Sequence, residues 1–334
     1  MTPPDGSISV VIPSYNRRDL LRETLGAVLA QSRPALEVIV VDDGSQDGSA
    51  DMTAAEFPNV RLIRIPNSGE LVARNTGVRA ASGGIVAFCD SDDLWSDRYL
   101  ERVHGLWLAE PGLRVAYANF RHLRDGKIEQ QDKFASAPAG WFDGLRMVGE
   151  GMGVFDRAIV ERMIGFTPFF PSAMAVARSD FLAQGGWDES VGRTVGCDFA
   201  TSLRMAESPP IGVLTEPLVA IRKHDSNYSG DLEKMNLGDA FVLDHVLARR
   251  PSLAAMAEDI KASARARRIM ALERAFSRGD LAAVRRIRDL LGDGSLPARV
   301  ALKCTVAALP APIGAAVARP LLWAGTMRGA LTGR

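Results

Sequence analysis

Three carboxylates crowd the end of an apolar run in "VAFCDSDDLW" (86–95): Asp90, Asp92 and Asp93. A second run, "VIVVDDGS" (38–45), also ends in acid, at Asp42 and Asp43. Packed carboxylates repel one another and resist ionisation unless positive charge sits among them. A hard dication such as Mn²⁺ or Mg²⁺ answers that need, because it takes one or two carboxylates and completes its shell with phosphate oxygens and water. A metal–diphosphate site is the chemistry this spacing suggests. Turn formation and helix capping are the plainer uses of aspartate after a strand, and Asp93 and Asp43 suit both.

The elements around these residues alternate. "ISVVIPS" (8–14), "LEVIVVD" (36–42), "VRLIRI" (60–65) and "IVAFC" (85–89) read as short strands. Between them "NRRDLLRETLGAVLAQS" and "GELVARNTGVRAASG" carry helical periodicity, with Asn16 placed to cap the first. Strand–helix–strand repeats with short loops predict right-handed crossovers and a mainly parallel sheet flanked by helices. Ligands in such sheets bind beyond the carboxyl ends of the strands, where both acidic pairs fall. Further on, the spacing predicts a helix to about 110, a strand over "LRVAYANF" and a hairpin at "RDGK". Residues 133–170 read as loops with one short helix at 156–163, placing Met147, Met152 and Phe155 in a loop. "IGVLTEPLVAIRKH" (211–224) reads as a strand pair or one bent strand. From about 231 no strand pattern remains, and Ala, Arg and Leu dominate a helical region to 334.

Composition narrows the field. The chain has 334 residues, 47% hydrophobic and 24% charged, ample for a large core and two domains. Forty basic and forty acidic residues cancel, which argues against nucleic acid as a partner. Three scattered cysteines fit a reducing compartment rather than a disulfide framework. The opening "MTPPDGSISVVIP" lacks a leader pattern, and no apolar run reaches the roughly 18 residues of a membrane span. The expectation is a cytoplasmic protein. Its C-terminal segment 300–327 reads as a packed helical hairpin, or as an amphipathic contact with the inner membrane face.

The ordered set "VVIPSYNR" (10–17), "VIVVDDGSQDGS" (38–49), "NSGELVARNTG" (67–77), "VAFCDSDDLW" (86–95) and "GGWDE" (185–189) resembles family 2 glycosyltransferases over about residues 7–229. That resemblance implies a GT-A fold, the α/β fold of nucleotide-diphospho-sugar transferases. It sets a domain at 1–230 (donor half about 1–110, acceptor half about 111–230) and a helical region at 231–334. The implied reaction is inverting and metal-dependent, moving a sugar from a nucleotide-diphosphate sugar, uridine preferred, to a hydroxyl of a glycan or lipid-linked acceptor. Bacterial surface polysaccharide or lipid-linked glycan synthesis is the implied setting. Pro13, Tyr15, Asp43, Arg74 and Asp90 would then bind the nucleotide, and Asp92, Asp93 and His224 the Mn²⁺ or Mg²⁺. Trp187, Asp188 and Glu189 would meet the acceptor, and Asp198 would be the base. The family usually carries Glu-Asp where this chain has Cys197-Asp198, which puts acceptor recognition in question.

Other classes fit less well. "VIPSYNRR" follows no G-x-G-x-x-G pattern, which counts against a dinucleotide-dependent oxidoreductase, and no Gly-rich basic phosphate loop marks a nucleotidyltransferase. A non-catalytic nucleotide-sugar or glycan binder on the same fold is the alternative.

Overall fold

The computed structural model describes residues 6–223, 231–292 and 294–318. Its first part builds β1 (Ile8–Ser14), β2 (Glu37–Asp42), β3 (Arg61–Arg64) and β4 (Ile85–Phe88). Helices α1 (Arg18–Leu29), α2 (Ser49–Glu56) and α3 (Glu70–Ala80) connect them. β1 pairs in parallel with both β2 and β4, and β2 in parallel with β3. All four therefore present their carboxyl ends at one edge. β1 and β4 are buried throughout, as parallel strands covered on both faces must be.

The chain continues through β5 (Leu94–Trp95), α4 (Tyr99–Ala109), β6 (Val115–Arg124) and β7 (Lys127–Asp132). Then come β8 (Leu145–Gly149), β9 (Met152–Phe155), α5 (Val160–Gly165), β10 (Met174–Ala177), α6 (Arg178–Ala183), α7 (Asp198–Ala206) and β11 (Ile211–Lys223). One mixed sheet results, ordered β3-β2-β1-β4-β10-β6-β11-β9-β8, with β5 on β11 and β7 on β6. Parallel pairing holds from β3 to β4 and between β6 and β11, while β10 runs antiparallel to both of its neighbours. The "RDGK" hairpin turns through Asp125 and Gly126, both at positive φ. β11 is one strand with its register irregular around Pro217.

Residues 133–170 depart from expectation. A β8–β9 hairpin forms the far edge of the sheet, and α5 begins at 160. Met147, Met152 and Phe155 stand in strands, not in a loop. Two runs of five and four residues around Gly151 are too short to show a period in the sequence.

Helices α8 (Leu232–Arg249), α9 (Ala257–Ser277), α10 (Leu281–Leu290) and α11 (Ala298–Ala308) follow, with a further helical stretch at 311–318. They enclose their own core, including Leu272, Phe276, Val284, Ile287 and Val300. The chain falls into two compact units: the α/β unit runs to Arg193 and resumes at Cys197, and the helical unit includes Thr194–Gly196. Among the described residues no helix is long and apolar enough to cross a membrane.

Candidate active site

Ser14 and Asp42 stand opposite each other at the ends of β1 and β2. The loops beyond them are stitched together. Ser45 Oγ accepts the Asn16 N–H at 2.9 Å, Asn16 Oδ1 accepts the Gln46 N–H at 2.8 Å, and Asp47 Oδ2 accepts the Arg18 N–H at 2.9 Å. Asn16 thus serves the neighbouring loop rather than capping α1. This lacing holds Tyr15 outward, 46% exposed, while Pro13 stays buried within β1. Asp43 is buried, and its carboxylate accepts the backbone N–H groups of Ser68 (2.6 Å) and Gly69 (2.8 Å). It fastens the loop ahead of α3, where Gly69 takes φ +96°, a conformation that favours glycine. Asp42 Oδ2 accepts the Ser45 N–H at 3.1 Å. Asp42 Oδ1 and Ser14 Oγ are buried without a hydrogen-bond partner among the described residues, beside Tyr15. Unmade bonds of this kind are costly and point to a ligand donor.

The "DSDD" carboxylates do not share one cation. Arg74, fully buried on α3, donates from Nη2 to Asp90 Oδ1 at 2.7 Å. Arg17 Nε lies 3.8 Å from Asp92 Oδ2. Asp93 turns inward, and its Oδ1 accepts the Arg222 N–H from β11 at 2.8 Å. Burial, then Asp92 and Asp90, push the Asp93 carboxyl well above the usual carboxylate range. Burial also raises Asp90, against the pull of Arg74. Arginines and a backbone donor thus engage the carboxylates at the end of β4, yet burial and crowding still hold Asp90 and Asp93 above the usual carboxylate range.

Two helix N-termini meet at Arg74. Its Nη1 lies 3.1 Å from Glu70 Oε2, one turn earlier on α3, and its guanidinium stands 5.1 Å from the centre of the Trp187 ring. Burial works against the Arg74 charge, but Asp90, Glu70 and Asp198 outweigh it and hold the guanidinium protonated. Trp187 is 1% exposed and packs edge-on against Phe88 at 5.0 Å, so it supports Arg74 from beneath and offers no open face. Asn75 locks the "GGWDE" loop: its amide donates to Trp187 O (2.9 Å) and Glu189 Oε1 (2.7 Å), and its oxygen accepts the Trp187 N–H (2.8 Å). Asp188 Oδ1 accepts the Ser190 N–H at 3.1 Å, shaping the same loop. Asp198 opens α7 directly after Cys197. The Cys197 thiol donates to Glu70 Oε1 at 3.0 Å.

Asp90, Arg74 and Asp198 are thus brought to one place, with Asp92 two residues beyond Asp90. Asp43 and Tyr15 lie at the neighbouring strand ends. His224 lies outside the described residues. Glu70 was not among the residues singled out from the sequence, although its spacing four before Arg74 on a helix was a signal. Among the described residues no group of three His, Cys, Asp or Glu side chains forms a metal cage. Asp93 is turned inward and Asp90 is held by Arg74, while Asp92 stands near Arg17 at the same strand end. That fits a hard dication arriving with a diphosphate, and does not fit one held by protein alone.

The mixed sheet, parallel and acid-ended in its first half, defines a GT-A-type nucleotide-sugar transferase fold. Residues 9–162, a little under half of the chain, match glycosyl transferase family 2. A curated Escherichia coli relative, the UDP-Glc:alpha-D-GlcNAc-diphosphoundecaprenol beta-1,3-glucosyltransferase WfgD, is 32% identical over 127 residues, 37% of this chain and 49% of its own length. The chain spans well under two thirds of the length of the curated relatives it matches. The solved structure of S. aureus TarS 1-349 in complex with UDP-GlcNAc aligns with a TM-score of 0.61 at 17% identity, over 97% of this chain and 92% of the other. The mannosyltransferase PcManGT from Pyrobaculum calidifontis, solved with GDP-Man and Mn²⁺, aligns with a TM-score of 0.50 at 23% identity, over 94% and 88%.

Proposed function

We propose that the protein is an inverting glycosyltransferase that takes a sugar from a nucleotide-diphosphate sugar, UDP-linked by preference, and passes it to a hydroxyl of a glycan or lipid-linked acceptor in bacterial surface-glycan synthesis. The observation that carries this reading is the buried Arg74, bound to Asp90 at the end of β4 and within the field of Asp198 at the start of α7.

Tyr15, exposed beside Pro13, stacks on the base, and Asp43 with the unpartnered Asp42 Oδ1 meets its ring N–H. Arg74 and Asp90 orient the ribose and diphosphate. Asp198 takes the proton of the acceptor hydroxyl as its oxygen attacks the anomeric carbon and the bond to the diphosphate breaks. Asp92, with His224, would hold Mn²⁺ or Mg²⁺, which when bound would neutralise charge on the departing diphosphate; Asp93, turned inward onto the Arg222 backbone, would not. Asp188 and Glu189 border the acceptor, with Trp187 supporting from below. A lipid-linked acceptor would bring the C-terminal helices to a membrane face. The relative and the structures named above, a UDP-Glc transferase and complexes with UDP-GlcNAc and with GDP-Man and Mn²⁺, support this reading.

Calorimetric titration of UDP, GDP and dTDP sugars, with and without Mn²⁺, tests it together with UDP release. UDP-GlcNAc is expected to bind more tightly with Mn²⁺. Asp198→Asn is expected to lower UDP release roughly 10²–10⁴-fold while UDP still binds. Binding of none of these sugars overturns the donor assignment. Binding by the unaltered protein without any turnover makes it a binder on the same fold.

A further inference from the structure

We infer that Glu70 is a positioning and specificity residue for the acceptor, the second carboxylate beside Asp198, and that the acceptor ring it reads is a neutral sugar; this rests on the transferase reading above. Glu70 Oε1 accepts the Cys197 thiol at 3.0 Å, from a residue 127 positions away, and its Oε2 lies 3.1 Å from Arg74 Nη1. One oxygen is held by a hydrogen bond and the other by the charge of Arg74, yet the side chain is 51% exposed. Each carboxylate oxygen has two acceptor positions, so each keeps one for a ligand hydroxyl. A side chain fixed on two sides and open on the third is preorganised for binding.

The groups that fix it belong to the site. Arg74 binds Asp90 with its other nitrogen, and Cys197 immediately precedes Asp198. A surface Glu–Arg pair one helical turn apart would need no such tether, and contributes little to stability. The thiol is a weak donor whose value here is direction: it turns Glu70 toward the start of α7. Burial, then Glu70 and Asp198, push the Cys197 thiol up, so it stays S–H and keeps donating. Cys197 accordingly has a holding role and no covalent one. Glu70 and Asp198 together suit two hydroxyls of one sugar ring, one recognised and one deprotonated. Glu70, Asp90 and Asp198 outnumber the single charge of Arg74 there, which disfavours a ring bearing carboxylate or phosphate at that place.

The test uses the UDP-loaded 334-residue chain on an array of immobilised oligosaccharides ending in neutral, uronic or phosphorylated sugars, with UDP affinity measured in parallel. The unaltered protein is expected to be retained on a subset of neutral-ended glycans. Glu70→Gln lowers that retention at least tenfold while UDP affinity changes less than threefold. The exchanged pair, Glu70→Ala with Cys197→Glu, recovers retention because the carboxylate returns from α7. Undiminished retention of Glu70→Gln overturns the inference, as do equal retention on anionic ends and a parallel loss of UDP affinity. UDP binding by the unaltered protein with no glycan retained overturns the inference and leaves the donor reading standing. Absence of nucleotide binding overturns the donor reading itself.

Discussion

In the α/β unit the charged Arg74 and Asp93 lie in the interior, and partners come from far along the chain: Cys197 reaches Glu70, the ion-pair partner of Arg74, across 127 residues, and the Arg222 backbone reaches Asp93 across 129. In the helices from α8 to α11 the charges mostly lie on the surface, and many find partners within a turn or on the next helix, such as Lys261 with Glu258 and Arg268 with Asp244. Beneath them lies a core of alanine and aliphatic side chains with Phe276. The first arrangement is expensive, because a buried charge loses its water and an arginine pair seldom repays that in full. The second costs little and gains little. Apolar side chains would fold the strand ends at lower cost, so the buried charges there are best explained by what they bind.

The sharpest way to break this contrast is to remove the support under the guanidinium. Trp187 is almost fully enclosed, against Phe88 and Phe181 as well as Arg74. Trp187→Ala is expected to cost about 3–5 kcal/mol in urea denaturation, from lost burial and the cavity left behind. A loss under about 1 kcal/mol would mean that the loop collapses freely and that Arg74 needs no floor.

A smaller effect comes from a carboxylate that holds the sheet rather than the site. Glu37 on β2 accepts Ser9 Oγ at 2.8 Å and the Ser82 N–H at 2.7 Å. Burial pushes its carboxyl up, but the bonds from Ser82 and Ser9 and the charge of Arg61 win, so it sits below its ordinary value of 4.5. A lowered folded-state value means that the stability is present above the unfolded value and lost as pH falls through the folded one. The unaltered protein should therefore melt higher than Glu37→Gln at pH 7, and the gap should close on acidification below 4.5. A gap independent of pH would assign the effect to shape instead of charge.

How far the sequence carried this picture follows from the same contrast. The acid-ended strands β2 and β4 and the helices between them were legible because a strand's apolar run and the turn that ends it are local facts. Asp90 followed from placing those ends at one edge, whereas Arg74 and Asp198, on helices, were reached only through the family resemblance. What Asp93 does was not legible, since its donor lies on β11. Nor was the Cys197 thiol's acceptor, since two helix N-termini must first meet. Trp187 read as a surface for the acceptor and stands buried, because a tryptophan after Gly-Gly carries no sign of which side it faces. The β8–β9 hairpin escaped notice because its alternation lasts only a few residues around Gly151.

The smallest effect should come from the helical unit. Lys261 and Glu258 are largely exposed and paired at 3.0 Å, three residues apart on α9. Such a pair, Glu ahead of Lys, contributes about 0.2–0.5 kcal/mol, and water screens most of it. Replacing lysine with alanine returns a few tenths, because alanine is the better helix former. Lys261→Ala should therefore shift urea stability by no more than about 0.5 kcal/mol in either direction. The result has force only beside the Trp187 measurement: a comparable loss at Lys261 would mean that the helical unit also depends on specific charges, and the special cost assigned to the strand ends would no longer single them out as a binding site.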